Sequence, residues 1–362
     1  MSQVFFFSYD AAATPLHGLR RLFSKAGFKS VVPSGGSVAI KLHMGELGNV
    51  RYLRPVLVRE TVDAVLGCGG KPFLFDTIVN YPSSRKTKDS YLDTAARNGF
   101  AEATMKAPIV IADDDDEMKV ITVADRLDGT SLTEIKSPRL LLQSSFMVVL
   151  SHVKGHDLSG FGGAIKNLAM GCVSRESKRA QHSVNMPIFR DNAECDGCGK
   201  CADACPTDAI EVVEGRPSRN DAECTYCSAC LLACPSGCWV WPPGAKEKVQ
   251  VNMAHSARAV VSAFGGRIAY VNFIQDVAPH CDCAAPSGNA LIQDVGIAAS
   301  FDPVAVDKAS LDLIDKAPVV AGALAVKPPD ILGKLHNTDC LIQLRTAEKL
   351  GIGAMQYELI TV

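Results

Sequence analysis

The sequence predicts an α/β protein, a mostly parallel sheet with helices on both faces, interrupted once by a cysteine-rich insertion. Two observations carry that expectation. Short β-branched or aromatic runs alternate with amphipathic stretches over the first 180 residues and again after residue 245, as in strand–helix–strand units that lie parallel in one sheet. Between these stretches the alternation stops, and eight cysteines fall within forty residues.

Each element follows from local signals. Val4 to Phe7 is a strand by its aromatic and β-branched run. Thr14-Pro15 offers an N-cap and a first-turn proline for a helix carrying Leu16, Leu19, Leu22 and Phe23, closed at Gly27. Val38 to Leu42 is the next strand, and a helix from about Pro55 to Leu66 ends in Gly67, Gly69 and Gly70. Phe73 to Phe75, Ile109 to Ile111 and Phe146 to Leu150 are further strands, with a helix from Ser90 to Asn98 stopped by Gly99. The acidic run Asp113 to Glu117 lies between apolar runs and reads as a solvated turn. After the insertion, a helix from about Met253 to Phe264 stops at Gly265-Gly266. Strands from Ile268 to Phe273 and Ile297 to Ala299 follow, and Asp302-Pro303 caps another helix. A last helix, Thr338 to Leu350, precedes a closing strand from Tyr357 to Val362. Neither half completes a sheet alone. The expected boundaries are 1–187 and 245–362 for the two parts of the α/β domain and 188–244 for the insertion, which leaves at Trp241-Pro242-Pro243-Gly244.

The insertion carries Cys-x2-Cys-x2-Cys-x3-Cys-Pro twice, as Cys195, Cys198, Cys201, Cys205, Pro206 and as Cys224, Cys227, Cys230, Cys234, Pro235. That spacing is the ligand set of two [4Fe–4S] cubanes in bacterial two-cluster ferredoxins, where the fourth cysteine of each run crosses to the other cluster. Cys195, Cys198, Cys201 and Cys234 are thus expected on one cluster, and Cys224, Cys227, Cys230 and Cys205 on the other. Zinc knuckles use separated pairs and do not explain three evenly stepped thiols appearing twice. Cys238 is expected as a buried, unligated thiol against Trp239 and Trp241.

Composition excludes several classes. Thirty-seven basic and thirty-nine acidic residues give a net charge of −2, no electrostatic basis for nucleic acid. Fourteen cysteines do not form a disulfide framework when eight stand in cluster spacing. No run approaches eighteen consecutive apolar residues, so no membrane span is expected, and free thiolates suit a reducing cytoplasm.

In open α/β sheets ligands bind beyond the carboxyl ends of the strands. The residues following the expected strands are His43; Asp76 and Thr77; Ser151, His152, Lys154, His156 and Asp157; His280, Cys281 and Cys283; and Ser300 and Asp302. If these strands are parallel, the loops share one edge. Cys281 and Cys283 with His152 and His43 form a candidate third metal site for zinc or iron, with Lys154, His156 and Lys166 as candidate catalytic residues. A flavin or another small-molecule ligand is the alternative occupant. Gly160, Gly162 and Gly163 precede a helix start at Ala164; this loop either cradles an anion with Lys166 or simply packs closely.

Several of these runs resemble the domain-of-unknown-function 362 family: Lys41-Leu42-His43-Met44-Gly45-Glu46, Asp76-Thr77 with Tyr81 and Arg85, Ser151 to His156, Gly162 to Gly171, Cys281-Asp282-Cys283, and Gly296-Ile297 through Asp302 to Ala305. Ile78 stands where a polar residue is expected in that pattern. The resemblance implies the α/β fold and, for many members, the double-cluster segment, mostly in anaerobic bacteria and archaea; it implies no reaction. Three functions are expected in order: an electron carrier passing single electrons to a redox partner protein, an oxidoreductase whose clusters feed the strand-end site, and a metal-handling scaffold using Cys281 and Cys283.

Overall fold

The computed structural model describes residues 1–10, 12–113, 117–190, 194–323 and 326–362. Residues 114–116 of the acidic run therefore lie outside the described residues. At the centre is an eight-stranded sheet. In chain order its strands are β1 (Ser2–Ser8), β2 (Ser37–Lys41), β3 (Lys71–Asp76), β4 (Ile109–Ile111), β5 (Phe146–His152), β6 (Ile268–Ile274), β7 (Gly296–Ser300) and β8 (Tyr357–Thr361). Their spatial order is β8-β1-β7-β6-β5-β2-β3-β4. From β6 through β5, β2 and β3 to β4 every pairing is parallel, as is that of β1 with β8.

β7 departs from this rule. It runs antiparallel to both β1 and β6, so Ser300 and Asp302 emerge at the opposite edge, where Ser300 Oγ donates to Gln3 O at 2.7 Å. The expected five-loop edge is corrected to four loops. Side-chain alternation assigns faces, not strand direction, which is why the sequence did not reveal the reversal.

Alternation does place the core. Val38, Ile40, Val148 and Leu150 point to one face, Ala39, Met147 and Val149 to the other. The first face is covered by α1 (Pro15–Lys25), α2 (Pro55–Gly67) and α3 (Lys88–Arg97), the second by α4 (Ala164–Gly171), α6 (Ala245–Phe264), α7 (Pro303–Lys316) and α8 (Ile342–Lys349). Each fully buried Val, Leu or Ile contributes roughly 1.5–3 kcal/mol relative to exposure. Helix α6 begins eight residues before the expected Met253, directly after Gly244 at φ 72°, because its first turns carry Lys246, Glu247 and Lys248 and mask the apolar period. Helix α5 (Arg175–His182) carries no apolar period that would announce it: its eight residues read RESKRAQH, yet Ser177, Lys178 and Gln181 are buried.

The described residues of the segment 188–244 add no strand to the large sheet. They contain a two-stranded antiparallel pairing of Ile188–Phe189 with Trp239–Val240, which closes the two ends of the segment, and one short hairpin, Ile210–Val213 with Arg216–Arg219. A small core of Cys201, Ile210, Cys230 and Trp239 holds them, with Phe189 packed against it. Among the described residues no helix is long and apolar enough to cross a membrane.

Candidate functional site

The carboxyl ends of β2, β3, β5 and β6 open into a cavity of about 330 Å³, a size typical of small-molecule sites. His43, His152, Lys154, His156, Lys166, Cys281 and Cys283 all line it, together with Lys41, Asp76, Arg85, Lys178 and Asp282. His280 is half exposed and sits at Asp157, 3.4 Å away.

Ion pairs organise the wall. Lys41, at the end of β2, lies 2.9 Å from Asp76 at the end of β3, both buried. Burial opposes the Asp76 charge, but Lys41, His43 and Lys178 hold its carboxyl down to about 2; Tyr91 also donates to it. Lys41 Nζ donates to Asn167 Oδ1 at 2.7 Å, and it fits there because position 171 is glycine, whose added Cβ would collide with Lys41 Cε. Arg85, fully buried, pairs with Glu46 at 3.0 Å. Lys154 lies 3.4 Å from Asp282. Lys178 has neutral partners instead, Thr77 Oγ1 at 2.6 Å and Ile78 O, and burial brings it down to about 8. The apolar side chain at Ile78 is thus compatible with the site, because its backbone does the work: its N–H donates to Asp113 Oδ1 at 2.7 Å.

The histidines separate into different roles. His152 has Asp282 Oδ1 2.7 Å from Nδ1 and Gln275 O 2.8 Å from Nε2. Both ring nitrogens are thus engaged by acceptors, and neither joins the two cysteines. His43 receives the Gly45 N–H at Nδ1 (3.0 Å), and Arg85 lies 2.9 Å from its Nε2; burial and Arg85 push it well below the usual histidine range. The expected grouping of Cys281 and Cys283 with His152 and His43 is corrected. A ring nitrogen of His156 and the two thiol sulfurs lie within 4.8 Å of one another. Cys283 hydrogen-bonds Cys281 and holds its thiol well below the ordinary value, with Lys166 Nζ adding its charge 3.7 Å away, while Cys283 rises correspondingly.

The glycine loop before α4 takes its close-packing alternative. Asp307 accepts the Ala164 and Ile165 amides at 2.7 and 3.0 Å, so this chain's own carboxylate occupies the helix N-terminus. Residues that sequence reasoning passed over are Lys178 and His182 on α5 and Ser159 beneath His156. A lysine on the buried face of a polar eight-residue helix leaves no apolar period to read.

The motif cysteines surround two hollows. Cys195, Cys198, Cys201 and Cys234 line one, with Cys238 buried beside them; Cys205, Cys224, Cys227 and Cys230 line the other. These are the two crossed quartets. Backbone amides already face sulfurs in each, Cys238 N–H to Cys234 at 3.3 Å and Ala209 N–H to Cys205 at 3.2 Å, as sulfur ligands to an iron cluster require. The donor set fits two cubanes. Thr225, Cys227 and Ser228 line the second hollow and the strand-end cavity alike.

The profile of the family described as Domain of unknown function (DUF362) matches residues 38–312. The chain belongs to this family. Its span runs from β2 to within α7, taking in both the cavity and the cysteine segment. No curated protein matches the sequence. Among solved structures, the lactate racemase apoprotein from Thermoanaerobacterium thermosaccharolyticum aligns with 87% of this chain and 57% of its own at 12% identity and a TM-score of 0.45. A protein from Thermotoga maritima aligns with 71% of this chain and 49% of its own at 11% identity and a TM-score of 0.39. The chain spans about half the length of these structures.

Proposed function

We propose that this DUF362 protein is an oxidoreductase. Its residues 188–244 form an inserted two-cluster module, and its reaction site is the cavity at the strand ends. One observation carries the reading: Cys227, a ligand in the second crossed quartet, stands in the wall of that cavity. When bound, the two [4Fe–4S] clusters supply electrons one at a time. A carrier has no use for a cavity lined by this many buried charges. Lys154, His156 and Lys166 face the space where a substrate sits, and Lys178, brought near neutrality by burial, is suited to hand over a proton. The Arg85–Glu46 and Lys41–Asp76 pairs fix the wall.

A second reading, the electron carrier, draws on Cys198, which is exposed and marks where a redox partner protein would dock. The two readings separate by experiment. Photoreduced protein is mixed anaerobically with small acceptors and, separately, with a protein acceptor such as cytochrome c, before and after Met170→Trp fills the cavity from a wall position that the second hollow does not share. The oxidoreductase reading expects small-acceptor reoxidation to slow at least about tenfold, with the protein acceptor unaffected. Equal rates for both acceptors in both proteins would leave the carrier.

A further inference from the structure

We propose that His156, Cys281 and Cys283 hold a divalent cation of the zinc class, its fourth position open to the strand-end cavity for an anionic substrate group beside Lys166. The inference rests on the cavity being the reaction site but is independent of the clusters.

The three ligand atoms converge from two elements. His156 ends one strand of the hairpin Lys154–His156 and Gly160–Gly162, and the cysteines lie on the loop after β6. All are within 4.8 Å of one another. Zinc–sulfur bonds near 2.3 Å and zinc–nitrogen bonds near 2.0 Å set tetrahedral ligand atoms roughly 3.5–3.8 Å apart, inside that limit. The support beneath His156 suits ligation. Ser159 Oγ donates to Phe161 O at 2.8 Å, which leaves it a lone pair for a His156 Nδ1–H at 3.0 Å. In the tautomer with its hydrogen on Nδ1, that bond leaves the free lone pair on Nε2, as a metal-binding histidine needs. The Leu158 and Ser159 amides donate to Nδ1 at 3.3 and 3.2 Å when the ring hydrogen is on Nε2, so metal binding exchanges these two bonds for the one to Ser159 Oγ.

Asp282, between the two cysteines, does not close the site. Its oxygens turn to His152 and Lys154. Three protein ligands with a vacant fourth place is the composition of catalytic rather than structural zinc. Charge identifies what fills that place. Lys41, Arg85 and Lys154 each have a carboxylate partner, whereas among the described residues Lys166 meets Cys281 Sγ and no carboxylate. Two thiolates neutralise a divalent ion, so the Lys166 charge is left for the ligand. A molecule carrying a metal-binding atom and a carboxylate satisfies both.

Zinc-edge X-ray absorption tests this on the anaerobically purified full chain, because iron does not contribute at that edge. The expected result is about one zinc per chain with two sulfurs near 2.3 Å and light-atom neighbours near 2.0 Å. Cys281→Ser with Cys283→Ser should remove the zinc and keep about eight irons; His156→Ala, which spares both thiols, should lower zinc affinity at least about tenfold. Adding 3-mercaptopropionate should raise the sulfur count to three, and Lys166→Met should weaken its binding about tenfold or more. Zinc absent after supplementation, a four-sulfur shell, zinc retained by the double variant, an oxidised Cys281–Cys283 pair that takes no metal, or unchanged 3-mercaptopropionate binding in Lys166→Met would each overturn the proposal. Iron content reports on the cluster reading separately.

Discussion

The two cysteine quartets have the same spacing and different surroundings. The second is tied to the α/β body: Arg179 on α5 donates to the carbonyls of Ala222 and Cys224 at 2.8 and 2.6 Å, and Asn80 donates to Thr225 O at 2.9 Å. Trp241 donates to Ser228 Oγ at 3.0 Å. The first is held from within its own segment, by Arg216 on Cys195 O at 2.6 Å and Asp196 on the Cys198 amide at 3.1 Å, and it exposes Cys198. A repeated motif therefore specifies a ligand set without specifying a role. Role comes from what each copy is fastened to.

The largest expected effect breaks the comparison at its root. Cys201→Ser and Cys227→Ser should each remove about four of about eight irons, measured by iron and acid-labile sulfide analysis. Only Cys227→Ser should abolish the electron transfer that Met170→Trp slows. Loss of all iron from either variant would mean the quartets do not stand independently.

Next comes the body to which the second quartet is fastened. Asp76→Asn strands Lys41 as an unpaired buried charge, at a cost of about 3–5 kcal/mol in urea unfolding. The wild-type Asp76 carboxyl, held near 2 against an unfolded value near 3.8, contributes about 2 kcal/mol. That contribution is present above about pH 4 and lost as pH falls towards 2; a stability profile flat across this window would refute the assignment. Lys178 gives an effect of opposite sign. Its unfolded form keeps the proton to about 10.5 and the native form only to about 8, so the native state gains stability as pH rises between those values. Lys178→Met should therefore stabilise the fold at pH 7 by about 1–3 kcal/mol, a gain that fades above pH 10. A loss at pH 7 would show that the bonds to Thr77 and Ile78 outweigh burial.

The smallest effect concerns Cys238, which borders the first hollow alone. Cys238→Ser should keep about eight irons and shift one of two distinct midpoints in an electron paramagnetic resonance titration. Iron halved would make Cys238 a ligand, and one shared midpoint in the wild type would erase the difference between the quartets.

Much of this was legible before the fold. All eight strands of the large sheet were anticipated because apolar runs bounded by glycine and proline are local signals. What escaped was relational. The direction of β7 depends on its neighbours. The choice of His156 over His152 turns on which ring meets acceptors, which only the placement of Gln275 and Asp282 decides. Lys178 comes from a helix whose buried face is polar.

The reversal of β7 has an engineering consequence. It delivers Asp302 to the far edge of the sheet, where one carboxylate oxygen caps α7 through the Val304 and Ala305 amides and the other takes Ser2 Oγ and the Ala354 amide. There Asp302 ties three segments of the chain together, away from the strand ends that line the cavity. The turns feeding that edge, such as Gly265-Gly266 with open space beside both α-carbons, are therefore the places to graft an affinity handle, a fluorophore or a surface tether for an electrode, leaving both the chamber and its cysteine wall untouched.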